Sequence, residues 1–252
     1  MLRRASELKG YSIRATDGDI GRVDEFYFDD QSWVVRYLVV NTGNWLTGRM
    51  VLVSPIAIEK AVWLEEKLHI SLTRDQVKNS PSVEVHPPLS RQREIEYFNY
   101  YGWPYYWEGG GIWGPWPHPR SLVESRARAE ADIVQQGRRI GSTGDPHLRN
   151  TDEVIGYHIG ATDGEIGHLE DLLIDDETWS IQYAVADTRN WWPGKKVLVS
   201  LEWIENISWT DSRVYVKLSR EALKNGPEFD PSIPLTSEYE ARMTDYYQQL
   251  RL

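Results

Sequence analysis

The chain contains no cysteine in 252 residues. Disulfides, thiolate nucleophiles and cysteine-ligated metals are therefore excluded. The absence selects no redox compartment, because a cysteine-free chain is compatible with either. No hydrophobic run approaches the roughly 18 residues that would span a bilayer. Residues 1–10 enter polar sequence at once, without the apolar core of a signal peptide. A cytoplasmic protein with no transmembrane anchor is the expectation. Basic charge is short: 28 Lys and Arg face 38 Asp and Glu, for a net charge of −10. Binding to a phosphate backbone needs clustered cations. Neither half of the chain holds a Lys/Arg block, so no nucleic-acid partner is expected.

Reactive patterns are missing as well. His69, His86, His118, His147, His158 and His168 form no HxH or HExxH spacing, which argues against a histidine-bound metal. No GxSxG nucleophile elbow occurs. The glycines at 109–111 lack the strand–loop–helix context and the lysine of a phosphate loop. Acidic pairs recur as Asp17 with Asp19, Asp29 with Asp30, Asp163 with Glu165, and Asp175 with Asp176. None opens a twelve-residue calcium loop closed by a bidentate Glu. Asp in tight turns, hydrogen-bonding its own backbone, explains them better. No catalytic residue, metal or cofactor is assigned, and the chain reads as non-enzymatic.

What is present is repetition. Residues 2–101 recur at 148–247 with a constant offset of 146 and no insertion. Trp33, Tyr37, Trp45, Ser54 and Trp63 match Trp179, Tyr183, Trp191, Ser200 and Trp209. A period this long means duplicated domains, since solenoid units run about 20–50 residues. The sequence divides into 1–99 (first repeat with a trailing helix), 100–147 (connector) and 148–252 (second repeat with a trailing helix).

Within the first repeat, Ser6 and its match Asp152 suit the N-cap of a single helical turn, stopped by Gly10 and Gly156. A strand from Tyr11 leads to Asp17-Gly18, a pair suited to a type I′ hairpin turn with positive φ at both centres. A second strand carries Val23, Phe26 and Phe28. The third and most apolar begins at Trp33. Further strand material runs over 50–54, 56–63 and 68–72. Strands this short, spaced by turns, predict a closed barrel that leaves no edge unpaired. Short helical pieces follow over 73–79 and 219–225. Then come the trailing helices, one capped by Ser90 and the other by a Ser237–Glu240 capping box. The fold class is all-β with minor helices: two small antiparallel β-barrels in tandem, each followed by a short helix.

These motifs resemble the PRC-barrel family. Leu8-Lys9-Gly10-Tyr11, Asp17-Gly18-Asp19-Ile20-Gly21, the strand from Val23, the strand from Trp33 and Val51-Leu52-Val53-Ser54 carry the likeness, and the second repeat carries it again. The family includes the cytoplasmic part of the photosynthetic reaction-centre H subunit and a domain of a ribosome-maturation factor. The resemblance implies a six-stranded barrel used for assembly or docking. By that analogy one alternative is an accessory subunit of a photosynthetic or membrane-associated electron-transfer complex.

The connector exceeds structural need. Tyr100, Tyr101, Trp103, Tyr105, Tyr106, Trp107, Trp113 and Trp116 crowd one Gly- and Pro-rich stretch. Such rings suit partner anchors or a glycan-stacking platform; alternatively they fold inward as mortar. A polar helix with Ser121 and Glu124 as its capping box and Gly137 as its stop follows. Trp45, Trp191 and Trp192 mark matched loops suited to docking or to pairing of the barrels. The expected function is a scaffold that binds an unidentified protein partner through Trp45, Trp191, Trp192, Tyr101, Trp103, Tyr105, Tyr106, Trp107, Trp113 and Trp116. The barrels could pair within one chain or build a homodimer.

Overall fold

A computed structural model describes residues 1–82, 89–124, 148–188, 194–233 and 235–250. The chain opens with β1 (Leu2–Arg4) and the helical turn α1 (Ala5–Leu8). There follow β2 (Ser12–Ala15), β3 (Gly18–Asp29), β4 (Val34–Asn41), β5 (Met50–Val53), β6 (Ile58–Val62) and β7 (Lys67–Ile70). Three helices come next: α2 (Arg74–Lys78), α3 (Arg91–Tyr101) and α4 (Pro119–Glu124). The order then recurs as β8 (Leu148–Asn150), α5 (Thr151–Val154), β9 (His158–Ala161), β10 (Gly164–Asp175), β11 (Ile181–Asp187), β12 (Lys196–Ser200), β13 (Ile204–Ser208) and β14 (Arg213–Val216). The helices α6 (Arg220–Asn225) and α7 (Ser237–Gln249) close it.

Among the described residues the strands form two sheets matching the two tandem domains, each with seven strands where six were expected. One runs β5-β4-β3-β2-β7-β6 and the other β12-β11-β10-β9-β14-β13. Pairing is antiparallel except for β2 with β7 and β9 with β14, which are parallel. The seventh strand of each sheet comes from the other repeat. β8 pairs with β3 (Leu148↔Asp29, Arg149↔Phe28, Asn150↔Tyr27). β1 pairs with β10 (Leu2↔Asp175, Arg3↔Ile174, Arg4↔Leu173). The registers are identical under the offset of 146. The compact units follow this exchange: an N-repeat unit of Glu7–Thr151 with Asp176–Ser180, and a C-repeat unit of Met1–Ser6, Asp152–Asp175 and Ile181–Leu252.

Several local expectations change. Ala15 pairs with Gly18, so the hairpin loop is Thr16-Asp17, and neither loop residue has positive φ. The turn is therefore not type I′ about Asp17-Gly18. The Asp17 carboxylate instead accepts the Arg74 N–H at 2.7 Å, and Asp163 accepts the Arg220 N–H at the same distance. Each repeated Asp ties its turn to the helix that follows the barrel. Gly21 and Gly167 are needed for close approach, because a Cβ there would overlap the carbonyl oxygen of Asn41 or Asp187.

Trp33 and Trp179 do not begin strands. Both sit in the left-handed region, at φ 55° and 60°, a costly place for a bulky side chain. Trp33 is held there by its N–H donating to the Asp29 carbonyl at 2.7 Å and by stacking on Phe28 at 5.4 Å. The helix caps shift too. Ser6 lies inside α1, and its N–H and hydroxyl both donate to the Asp171 carboxylate. Asp152 likewise lies inside α5. Thr236, one residue before the expected Ser237, caps α7 by accepting the Tyr239 N–H at 3.2 Å. Thr73 and Gln76 form a full capping box on α2, and Ser90 caps α3 as its sequence position suggests. Residues 55–57 and 63–65 form 3₁₀ turns that bracket β6.

β4 is buried along almost its whole length, so it is covered on both faces. Its counterpart β11 leaves Gln182 exposed and Tyr183 half-buried. The difference traces to what lies over β4 in the N-repeat unit.

Candidate functional site

The connector is the site to test, and its position starts from α3. Ser90 accepts the Arg93 N–H, and Gly102, at φ 63°, ends the helix in the left-handed region. That geometry is the usual C-terminal glycine stop. One side of α3 buries Tyr97 and Phe98 against the barrel. The Tyr97 ring meets Tyr37 edge-on at 5.2 Å, and its hydroxyl donates to the Leu52 carbonyl at 2.6 Å. In the C-repeat unit the equivalent carbonyl, Leu198, is taken at 3.0 Å by Tyr247, whose match is Tyr101 rather than Tyr97. The same acceptor is satisfied from one helical turn further along.

After Gly102 the chain wraps its rings around Phe98. Trp103, Tyr105, Tyr106 and Trp107 all lie within 6.2 Å of that ring, centroid to centroid. Tyr105 stacks on Trp107 at 4.6 Å and 14°, and Tyr101 on Trp103 at 4.6 Å and 16°. A tight turn then returns the chain through bridges Gly111↔Gly114 and Trp113↔Trp116. Gly114 takes φ 65° there.

Arg36 fixes the connector to β4. Its guanidinium is 3% exposed. It lies 3.8 Å over the Tyr106 ring and 4.7 Å from the Trp113 ring. It donates to the Ile112 carbonyl at 2.5 Å and to the Ser32 hydroxyl at 3.1 Å, with Asp29 at 3.8 Å. Arg is suited to this task because its planar fork both stacks and donates. Position 36 becomes Gln182 in the second repeat. That departure between matched positions was the signal that could have located the site from sequence.

A second ionic centre adjoins it. Glu94 is 1% exposed. Its carboxylate accepts from Arg91 at 2.6 Å, Tyr106 at 2.6 Å and Tyr37 at 3.4 Å. Burial pushes its pKa from the usual 4.5 to about 7, while Arg91, Tyr106 and Arg36 act in the opposite direction. Burial also raises the Tyr37 and Tyr106 hydroxyls well above their ordinary value, so both remain donors. Because the folded pKa exceeds the unfolded one, the fold binds the extra proton between about pH 4.5 and 7. Stability from this group is then full below pH 4.5 and declines as pH rises through 7. Thermal melts at stepped pH should show this slope, and Glu94→Gln should flatten it.

The expected binding residues divide by burial. Trp103, Tyr106 and Trp113 are interior, and Trp113 is fully buried with its indole N–H donating to the Thr178 carbonyl at 2.7 Å. All three are covered by neighbouring side chains in this fold. Tyr101, Tyr105 and Trp107 are half-buried, and Arg91 covers the Trp107 ring at 4.2 Å. Trp116 is exposed at 40%. Tyr100, exposed at 41%, donates its hydroxyl to the Gln76 carbonyl at 2.8 Å. Trp45 sits half-buried in a short 3₁₀ turn beneath the Arg74 guanidinium at 4.6 Å. Trp191 and Trp192 lie outside the described residues, as does the polar helix beyond Glu124. Two residues after Trp116, His118 joins Pro55, Ile58, Trp63, Pro119 and Trp179 in lining a cavity of about 370 Å³ within the N-repeat unit. Sequence reading did not single out this cavity.

Among the described residues no cluster of His, Asp or Glu is placed to hold a metal. None of the described helices is long and apolar enough to cross a membrane.

No curated protein matches the chain. The PRC-barrel domain profile matches it twice, over residues 2–77 and 150–223. Those two spans take in more than half of the sequence and hold β1–β7 and β9–β14. The chain is a tandem member of the PRC-barrel domain family.

Proposed function

We propose that the protein is a non-enzymatic scaffold that docks a protein partner on the aromatic connector of its N-repeat unit. The observation that carries this reading is the anchoring of the connector. Arg36, Glu94 and Arg91 lock its inner rings in place, while Trp116 is exposed and Tyr105 and Trp107 are half-buried. Rings held this way lose little entropy on binding, which is what makes Trp and Tyr effective anchors. The Tyr105–Trp107 stack occupies its own inner faces. Arg91 also lies over the Trp107 ring, and rings covered in this way favour a protein over a sugar that needs an open flat face. Negative net charge would tune partner choice and approach.

The test is affinity purification from the native cell with mass spectrometry, comparing wild type with a Trp45→Ala/Trp107→Ala/Trp116→Ala variant. A partner held by the wild type should be lost from the variant, while circular dichroism shows both equally folded. Full retention of every partner by the folded variant would remove the connector from the reading.

A further inference from the structure

The exchanged strands carry the next inference. β1 belongs to the first repeat yet completes the sheet of the C-repeat unit, and β8 belongs to the second yet completes that of the N-repeat unit. Side chains reinforce both pairings. The Met1 amino group lies 3.5 Å from the Asp175 carboxylate, and Ser6 donates twice to Asp171. Arg149 lies 3.5 Å from Asp30, and the Thr151 hydroxyl accepts the Phe26 N–H at 3.3 Å. Inside the N-repeat unit Val34 pairs antiparallel with Ser180, and Ser180 is its own equivalent 146 residues on. A residue paired with its equivalent is what a contact between two identical copies produces.

Every one of these pairs joins a first-repeat residue to a second-repeat residue. None of them requires both repeats to lie in the same chain. What keeps them intramolecular is effective concentration, the advantage that two elements gain from being joined in one chain. The loop-closure entropy behind it varies only slowly with tether length. We propose that the strand-acceptor edges Leu173–Asp175 and Tyr27–Asp29 also accept the β1 and β8 strands of a second copy of this chain, giving a closed strand-exchanged dimer. Exchange of identical elements is a low-cost route to dimers, and here the exchanged register already exists.

The cysteine-free sequence permits a clean trap. Leu2 and Asp175 are Cα partners and both are only partly buried; opposed strand residues lie within disulfide reach. Chains carrying Leu2→Cys and chains carrying Asp175→Cys are unfolded, mixed, refolded at rising protein concentration and oxidised. A mixed disulfide should form several-fold above the background set by pairing Asp175→Cys with the exposed Leu64→Cys, and should increase with concentration. The Leu2→Cys/Asp175→Cys double variant, refolded dilute, should close the same bond within one chain. If the double variant closes but mixed chains never exceed background, exchange between copies is overturned. If neither that double variant nor Arg3→Cys/Ile174→Cys closes, the pairing beneath the proposal is wrong.

Discussion

Arg36→Gln is expected to lower the unfolding free energy by about 3–5 kcal/mol, the usual cost of removing one partner from a buried ionic network. Gln is the residue at the matching position 182, so the barrel itself tolerates it. The loss arises from what Arg36 supports. A shorter, neutral amide cannot lie over Tyr106, reach the Ile112 carbonyl and face Asp29 together. Glu94 also loses one of the cations that oppose its burial. Urea denaturation followed by circular dichroism measures the change. The reverse swap, Gln182→Arg, lies on an exposed position and should stay within about 0.5 kcal/mol of wild type. Equal effects from the two swaps would mean that Arg36 contributes nothing specific to the connector.

Trp113→Ala should cost about 3–5 kcal/mol as well, by leaving a cavity the surroundings fill only in part. Trp113 heads the fully buried side chains by volume. Its loss also leaves the Thr178 carbonyl without the indole donor. Trp113→Phe separates the two contributions: most of the ring burial returns, and the missing hydrogen bond should cost about 1 kcal/mol. Arg36 and Trp113 touch, so Arg36→Gln/Trp113→Ala should cost less than the two single changes added together. In thermal melts each single loss should appear as a drop of about 6–20 °C. If the connector detaches without loss of the barrels, ring exposure will rise while strand content is kept, and that distinction bears directly on the docking proposal.

The duplicated barrel was legible because it is written in local patterns. Short β-branched runs separated by Gly and Asp turns, repeated at a constant offset, need no tertiary information to recognise. Of the acidic pairs, Asp29 does bind its own turn, at the Gln31 and Ser32 N–H groups, but the partners of Asp17 and Asp163 were not visible. Asp17 and Asp163 bind the first residue of helices 57 positions further along, and nothing local announces that pairing. Trp33 and Trp179 looked like strand residues because aromatic side chains favour strands. For Trp33 the left-handed backbone is held by the Asp29 carbonyl and the Phe28 ring, for which propensity has no term.

The connector marks the limit of sequence reading. Its composition flagged it, but composition does not separate a ring that seals a core from one that meets a partner. Trp113 and Trp116 are three residues apart and chemically identical, and one is fully buried while the other is 40% exposed. The bridge pairs the two residues directly, so local geometry does not separate them; Trp113 is the one covered by Arg36, Tyr106 and the Thr178 carbonyl.

By itself the sequence determined the all-β class, the number of barrels and the absence of cysteine chemistry, since these depend on composition and on spacing along the chain. Tertiary structure decided which repeat receives the connector, through one arginine whose replacement by glutamine in the other repeat is its mark in the sequence. It alone decided that each sheet is finished by a strand from the other repeat. Both outcomes rest on pairings between residues far apart in sequence, and a pairing energy of that kind cannot be read from the local order of residues.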